Sequence, residues 1–440
     1  MNIGLILASF FIILSFSVYS GSIAVLVVQS VMFLGGLALC RWGVRDREEL
    51  FYSVKTFCFV FWIYAACAFF AVYFYRVSGE EFLFCIDQNS FLKFSNWALE
   101  EGSVWGIVQD TYFSKSDFWA DVALFRCAQG IVAYLSHTYL GGHCPEVLVA
   151  FSYGFSAFVP IFLYKILVFK LSFRDAFKYA LLFAAFSHLL YYSALIIRDI
   201  PVLFVFTMAF WFFLREFTFA RLVGIGIMLL CAFSLRPESG ILFLPLAIMY
   251  VWSKTQGRAF RVPLLGLGAV SGILVLLFMG GRILSSLSGY ADIASGYADF
   301  TFGENMDSGG LSVYIAILPV GIREFVRILN GFFPVITGLS TIASFFRFGY
   351  PFPSVIHLSL LCVGHFFLAI LFLKSCFNVE RIWRFLRQDR LMCSCVIGTL
   401  PLILGNSVSY SHRRVLFAYL LLYVLYLFAT RQRKVCGRTK

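Results

Sequence analysis

The sequence predicts an all-α, polytopic integral membrane protein of about twelve transmembrane helices, and three observations carry that prediction. Of its 440 residues 61% are hydrophobic and only 13% are charged, where soluble globular proteins carry about 25% charged residues. Apolar runs of roughly 20 residues, the length that crosses the hydrocarbon core, recur from one end to the other. No stretch longer than about 50 residues lacks such a run, so 1–440 reads as one membrane domain with no sizeable soluble one.

The predicted spans cover residues 3–19, 22–40, 56–75, 147–168, 178–197, 201–214, 221–235, 239–253, 263–280, 355–373, 391–405 and 415–430. The first resembles a signal peptide in hydrophobicity, but Met1 to Gly4 carries no basic side chain and the next apolar run begins straight after Gly21. A membrane hairpin with its cytoplasmic loop is expected over 1–55. Residues 121–141 are only moderately apolar and hold Arg126, Gln129 and His137, which suits a helix lying on the outer membrane surface. Residues 311–346 suit either two short spans or two half-inserted helices.

Basic residues collect in cytoplasmic loops, and with the N-terminus inside, 23 of the 35 Lys and Arg but only seven of the 23 Asp and Glu fall on the inner side. Both termini are therefore expected in the cytoplasm, 431–440 being a basic tail, in a cytoplasmic (inner) membrane. The formal net charge of +12 then reflects topology, and no nucleic-acid partner is implied. Most of the 12 Cys lie in apolar runs, where Cys acts as a small hydrophobe; Cys85, Cys127 and Cys144 fall on the outer side. Cys393 and Cys395 lack a second pair at zinc spacing.

Two long outward segments result, 76–146 and 281–354, and function is expected there. In the first, Asp87 is followed by Phe91, Ser95 and Leu99, a period of four that predicts an amphipathic helix with Asp87 near its N-terminus, as a cap or as a carboxylate pointing into a groove. Charges also stand at the outer ends of apolar spans: Arg198 with Asp199, Arg236 and Glu238 flanking Pro237, and His412, Arg413 and Arg414 after Tyr410. Basic residues there run against the topological bias. A planar guanidinium fork suits phosphate, so Arg198, Arg236, His412, Arg413 and Arg414 are candidates for holding a lipid-linked phosphate. In the second segment Ser-Gly-Tyr-Ala-Asp occurs at 288–292 and again at 295–299; with Asp199 and Glu238, Tyr290 and Tyr297 are candidate acceptor contacts. There is no P-loop, HExxH, EF-hand loop or nucleophile elbow, so ATP-driven and zinc chemistry lack a basis in the sequence.

Four segments in this order and on this membrane side resemble the GT-C type membrane glycosyltransferases and the similar bacterial O-antigen and capsule polymerases. They are Asp87-Gln88-Asn89-Ser90-Phe91, the run Tyr191 to Asp199, Leu235-Arg236-Pro237-Glu238-Ser239-Gly240, and Ser411-His412-Arg413-Arg414. The resemblance spans roughly residues 80–430. It implies a sugar donor on a polyprenyl phosphate or pyrophosphate, a glycan acceptor, surrounding membrane lipids and an acid of the first large outer loop as general base, by position Asp87. The large loop here follows the third span rather than the first. The chain lacks a DxD pair, so neither a metal nor another cofactor is expected. A transporter of the same lipid-linked glycans is the competing class; transporters favour internal repeats and midplane charges, whereas these charges gather at one face.

Overall fold

Ile3–Ser20 (α1) and Ile23–Arg41 (α2) fold back on each other at Gly21, whose φ of 68° is a conformation that a side chain disfavours. Arg47–Val77 (α3) begins earlier than the apolar run, because Asp46 accepts the Glu48 N–H through Oδ1 at 2.7 Å and caps the first turn. The computed structural model describes residues 3–44, 46–77, 79, 86–113, 123–216, 218–236, most of 239–250, 318–319, 322, 352–407 and 416–431. Among them every regular element is helical.

Among the described residues, three loop helices follow α3: Ile86–Ala98 (α4), Val104–Phe113 (α5) and Ala123–Tyr139 (α6). Pro145–Ser156 (α7) and Phe158–Leu167 (α8) form one nearly continuous membrane-length unit, followed by Phe173–Phe186 (α9), His188–Tyr192 (α10), Asp199–Leu214 (α11) and Phe219–Leu235 (α12). The C-terminal part holds Phe352–Phe377 (α13), Val379–Gln388 (α14), Arg390–Ser407 (α15) and Leu416–Thr430 (α16). Among the described residues five stretches are long and apolar enough to cross a membrane: Ile3–Ser20, Ile23–Arg41, Arg47–Val77, Pro145–Leu167 and Ser359–Phe377. Four shorter apolar ones are Asp199–Leu214, Phe219–Leu235, Arg390–Thr399 and Leu416–Thr430.

α3 is the hub, packing against α1, α2, α7, α8 and α9. The interior is aromatic, with Phe33 stacked on Phe57 and meeting Phe61 edge-on, an arrangement that adds to the burial term itself. Side-chain bonds fix which helix ends lie together. Arg76 at the end of α3 donates through Nε and Nη2 to Glu146 Oε1, at 2.9 and 2.6 Å, and through Nη1 to the Tyr19 carbonyl at 3.2 Å. At the other end Lys165 Nζ donates to the carbonyls of Leu39 and Trp42, Arg215 to that of Gly43, and Lys170 pairs with Asp389. The first group defines a loop end, the second a basic end. Because Arg76 and Glu146 meet, α4 to α6 leave and return at the same end.

Two expectations change in detail. The span expected at 178–197 is a broken helix: Ser187 interrupts it by accepting the Leu189 N–H, α10 is one turn long, and Ser193 to Ile197 are buried without regular structure. The helix expected along the membrane surface at 121–141 exists as α6, but it packs against α4, α5, α7 and α12 and buries Arg126 and Gln129. The span expected at 239–253 is only partly described. Residues 263–280, 281–354 almost throughout, with the 311–346 stretch and both Ser-Gly-Tyr-Ala-Asp repeats, and the basic tail from 432 lie outside the described residues.

Candidate functional site

The site is built where the irregular segment after α10 lies under the loop helices. Helix α4 turns Gln88, Phe91, Phe94, Ser95 and Ala98 inward, all buried, the i, i+3, i+7 set of one helix face. Phe91 meets Phe125 of α6 at 4.9 Å, and the Arg126 guanidinium lies 5.3 Å from the Phe94 ring centre. Ser95 Oγ donates to the Leu92 carbonyl at 2.7 Å and lies 3.3 Å from His143 Nε2, within hydrogen-bonding distance. Burial is the main reason that the His143 pKa falls to about 4, with His137 adding to the fall and Glu146 opposing it; the ring is neutral at ordinary pH.

The face thus anchored delivers Gln88, whose Oε1 accepts the Ile196 N–H at 2.9 Å. From the other side Ser156 Oγ of α7 donates to the Ser193 carbonyl at 2.9 Å. Backbone away from water needs every polar group paired, and these two side chains stand in for the turns of helix missing between α10 and α11. Asp87, beside Gln88, is exposed.

Asp199 opens α11 and Arg236 closes α12; Arg236 Nη1 donates to Asp199 Oδ1 at 2.7 Å, with side chains 5% and 3% exposed. Each charge suits its helix terminus, an anion at an N-terminus and a cation at a C-terminus. The pair is enclosed at the start of α11, three residues after the Ile196 N–H that Gln88 receives.

Three of the four segments singled out in the sequence are thereby joined: the one at Asp87 through Gln88 and Ile196, and those at Asp199 and Arg236 through their ion pair. Arg198 is half-buried beside Asp199 as the residue before α11. Glu238, Tyr290, Tyr297, His412, Arg413 and Arg414 lie outside the described residues. Sequence reasoning missed Gln88, although its spacing to Phe91 and Ser95 marks the buried face. It also missed a pair deep in the bundle, His188 Nε2 and His365 Nδ1, 2.8 Å apart, both rings fully buried and His188 stacked on Tyr419. A His inside an apolar span was the available signal for His365. No family model, curated protein or solved structure matches this chain.

Proposed function

We propose that the protein is an integral-membrane glycosyltransferase that takes sugar from a polyprenyl-phosphate-linked donor on the outer face of the cytoplasmic membrane, in the assembly of a surface polysaccharide. The observation that carries this reading is the junction of the Asp87 helix with the Tyr191 to Asp199 run and Arg236, through Gln88–Ile196 and Asp199–Arg236. It brings an exposed Asp87 and a buried guanidinium to the same end of the helical bundle. Asp87 would remove the acceptor hydroxyl proton while Arg236, with Arg198, His412, Arg413 and Arg414, stabilises charge on the departing lipid phosphate. The carboxylates of Asp199 and Glu238 and the rings of Tyr290 and Tyr297 are the acceptor contacts of this reading. In this reading the loop end faces outward and both termini face the cytoplasm.

The test is deletion of the gene followed by analysis of lipid-linked and surface glycans. Loss of a single sugar supports the transferase. Glycans that stop at one repeat unit assign the chain instead to polymerisation from a pyrophosphate-linked oligosaccharide, and completed but untransported intermediates assign it to a flippase.

A further inference from the structure

We propose that the recess at the basic end, among the start of α3, the ends of α8 and α11 and the start of α12, binds a phospholipid head group that carries both a phosphodiester and a primary ammonium, a phosphoethanolamine. The recess has a volume of about 360 Å³, with Glu49, Lys165, Phe169, Arg215, Glu216 and Arg221 among its lining residues. Small-molecule sites run roughly 300–1,000 Å³. The low end of that range holds a head group.

Its level in the bilayer follows from the helices around it. α8 and α11 end in Leu167 and Leu214, so the recess opens where hydrocarbon gives way to head groups. Trp42 and Phe169, 44% and 41% exposed, stand beside it at the depth where interfacial aromatics gather. Basic pockets between membrane helices are the usual seats of charged head groups.

Its chemistry is mixed, and the mixture selects the ligand. Lys165 and Arg215 are held by the last carbonyls of α2 and its loop, and both cations face the Trp211 ring, at 5.2 and 4.3 Å from its centre. Arg221 Nη1 is held by the Glu216 carbonyl. Arg215 and Arg221, already ordered by the protein, spare a ligand much of the entropy of fixing them and suit a phosphodiester, while the Lys165 ammonium is buried. Glu49 and Glu216 line the same recess. Two carboxylates repel a purely anionic head group such as phosphoglycerol, and they accept hydrogen bonds from a primary ammonium that a quaternary choline does not offer. This site is at the opposite end from Asp87 and Arg236 and does not depend on the proposed transferase activity.

Native mass spectrometry of the purified full-length protein, offered phosphatidylethanolamine, phosphatidylglycerol and phosphatidylcholine separately, tests the assignment. Phosphatidylethanolamine should be retained about ten-fold above the other two, the factor that one charge-assisted hydrogen bond supplies. Arg221→Ala should remove that retention, and Glu216→Gln should erase the preference over phosphatidylglycerol. Equal retention of the three lipids, or wild-type behaviour of both variants, overturns the proposal. Equilibrium dialysis with sn-glycero-3-phosphoethanolamine, the soluble diester, separates the sources: uptake of the soluble compound with no lipid retained overturns the lipid assignment. Should Arg221→Ala fail to fold, Glu216→Gln decides alone, since Glu216 is exposed.

Discussion

Asp87 and Gln88 are neighbours with divided tasks: Gln88 is spent on the Ile196 N–H, and Asp87 is left at the surface. If Asp87 is the base, Asp87→Asn keeps size and polarity but removes the proton acceptor, and turnover should fall about 10²- to 10⁴-fold with donor binding nearly unchanged. Asn caps a helix about as well as Asp, so wild-type turnover in this variant would reduce Asp87 to a cap. Arg236 is predicted to be structural and functional at once. Arg236→Ala leaves a buried carboxylate, a loss of about 3–5 kcal/mol, whereas Arg236→Ala combined with Asp199→Ala removes both charges and should recover much of the thermal stability without recovering transfer. Recovery of both would exclude Arg236 from phosphate binding. Arg236 and Asp199 were legible in the sequence as charges misplaced at span ends. That they bind each other was not, because 37 residues separate them and only the packing of α11 on α12 brings their ends together.

At the scale of elements, periodicity foretold the strongly apolar helices, but it aligned Asp87 with Phe91 and Ser95 on one face of α4, where Gln88, Phe94 and Ala98 join those two instead, and it did not foretell the break at Ser187. The stretch 178–197 is apolar enough to read as one span, and the interruption depends on a side-chain bond and on the partners that receive the unwound backbone. The same junction is held by a close approach. A Cβ on Gly364 of α13 would come within 2.9 Å of the His188 backbone nitrogen, which cannot yield as a flexible side chain would. Gly364→Ala is expected to lower the unfolding temperature in detergent, at a cost of about 1–3 kcal/mol. Gly226→Ala in α12, where a Cβ meets nothing within 4 Å, should be neutral or stabilising by up to about 1 kcal/mol. Equal effects of the two substitutions would show that α13 does not press on this junction.

For the whole molecule, among the described residues Lys165, Lys170 and Arg215 meet Leu39, Asp389 and Gly43 at one end. The expected topology makes that end cytoplasmic. Reporter fusions after Lys440 should be active only in the cytoplasm, and insertions in the exposed turn at Gly102 to Ser103 only outside; the reverse pattern would invert the molecule and remove the outward site. The fate of α6 was not readable from composition, since Arg126 and Gln129 suggest a wet surface until the helices that cover them are known.

The unwound Ser193 to Ile197 segment bears on how the chain is made. Its N–H at Ile196 is received by a residue synthesised 108 positions earlier, so α4 has left the ribosome well before the donor enters the bilayer. Translation order thus supplies the acceptor ahead of the donor, and the nascent hairpin need not wait in lipid with a bare amide, a state that costs several kcal/mol. Gln88→Leu should therefore act on newly made chains: in pulse-chase labelling they should be degraded within the first minutes, while molecules that survive assembly keep near-normal lifetimes. Uniform decay of old and new chains would place the bond's importance in the finished protein instead.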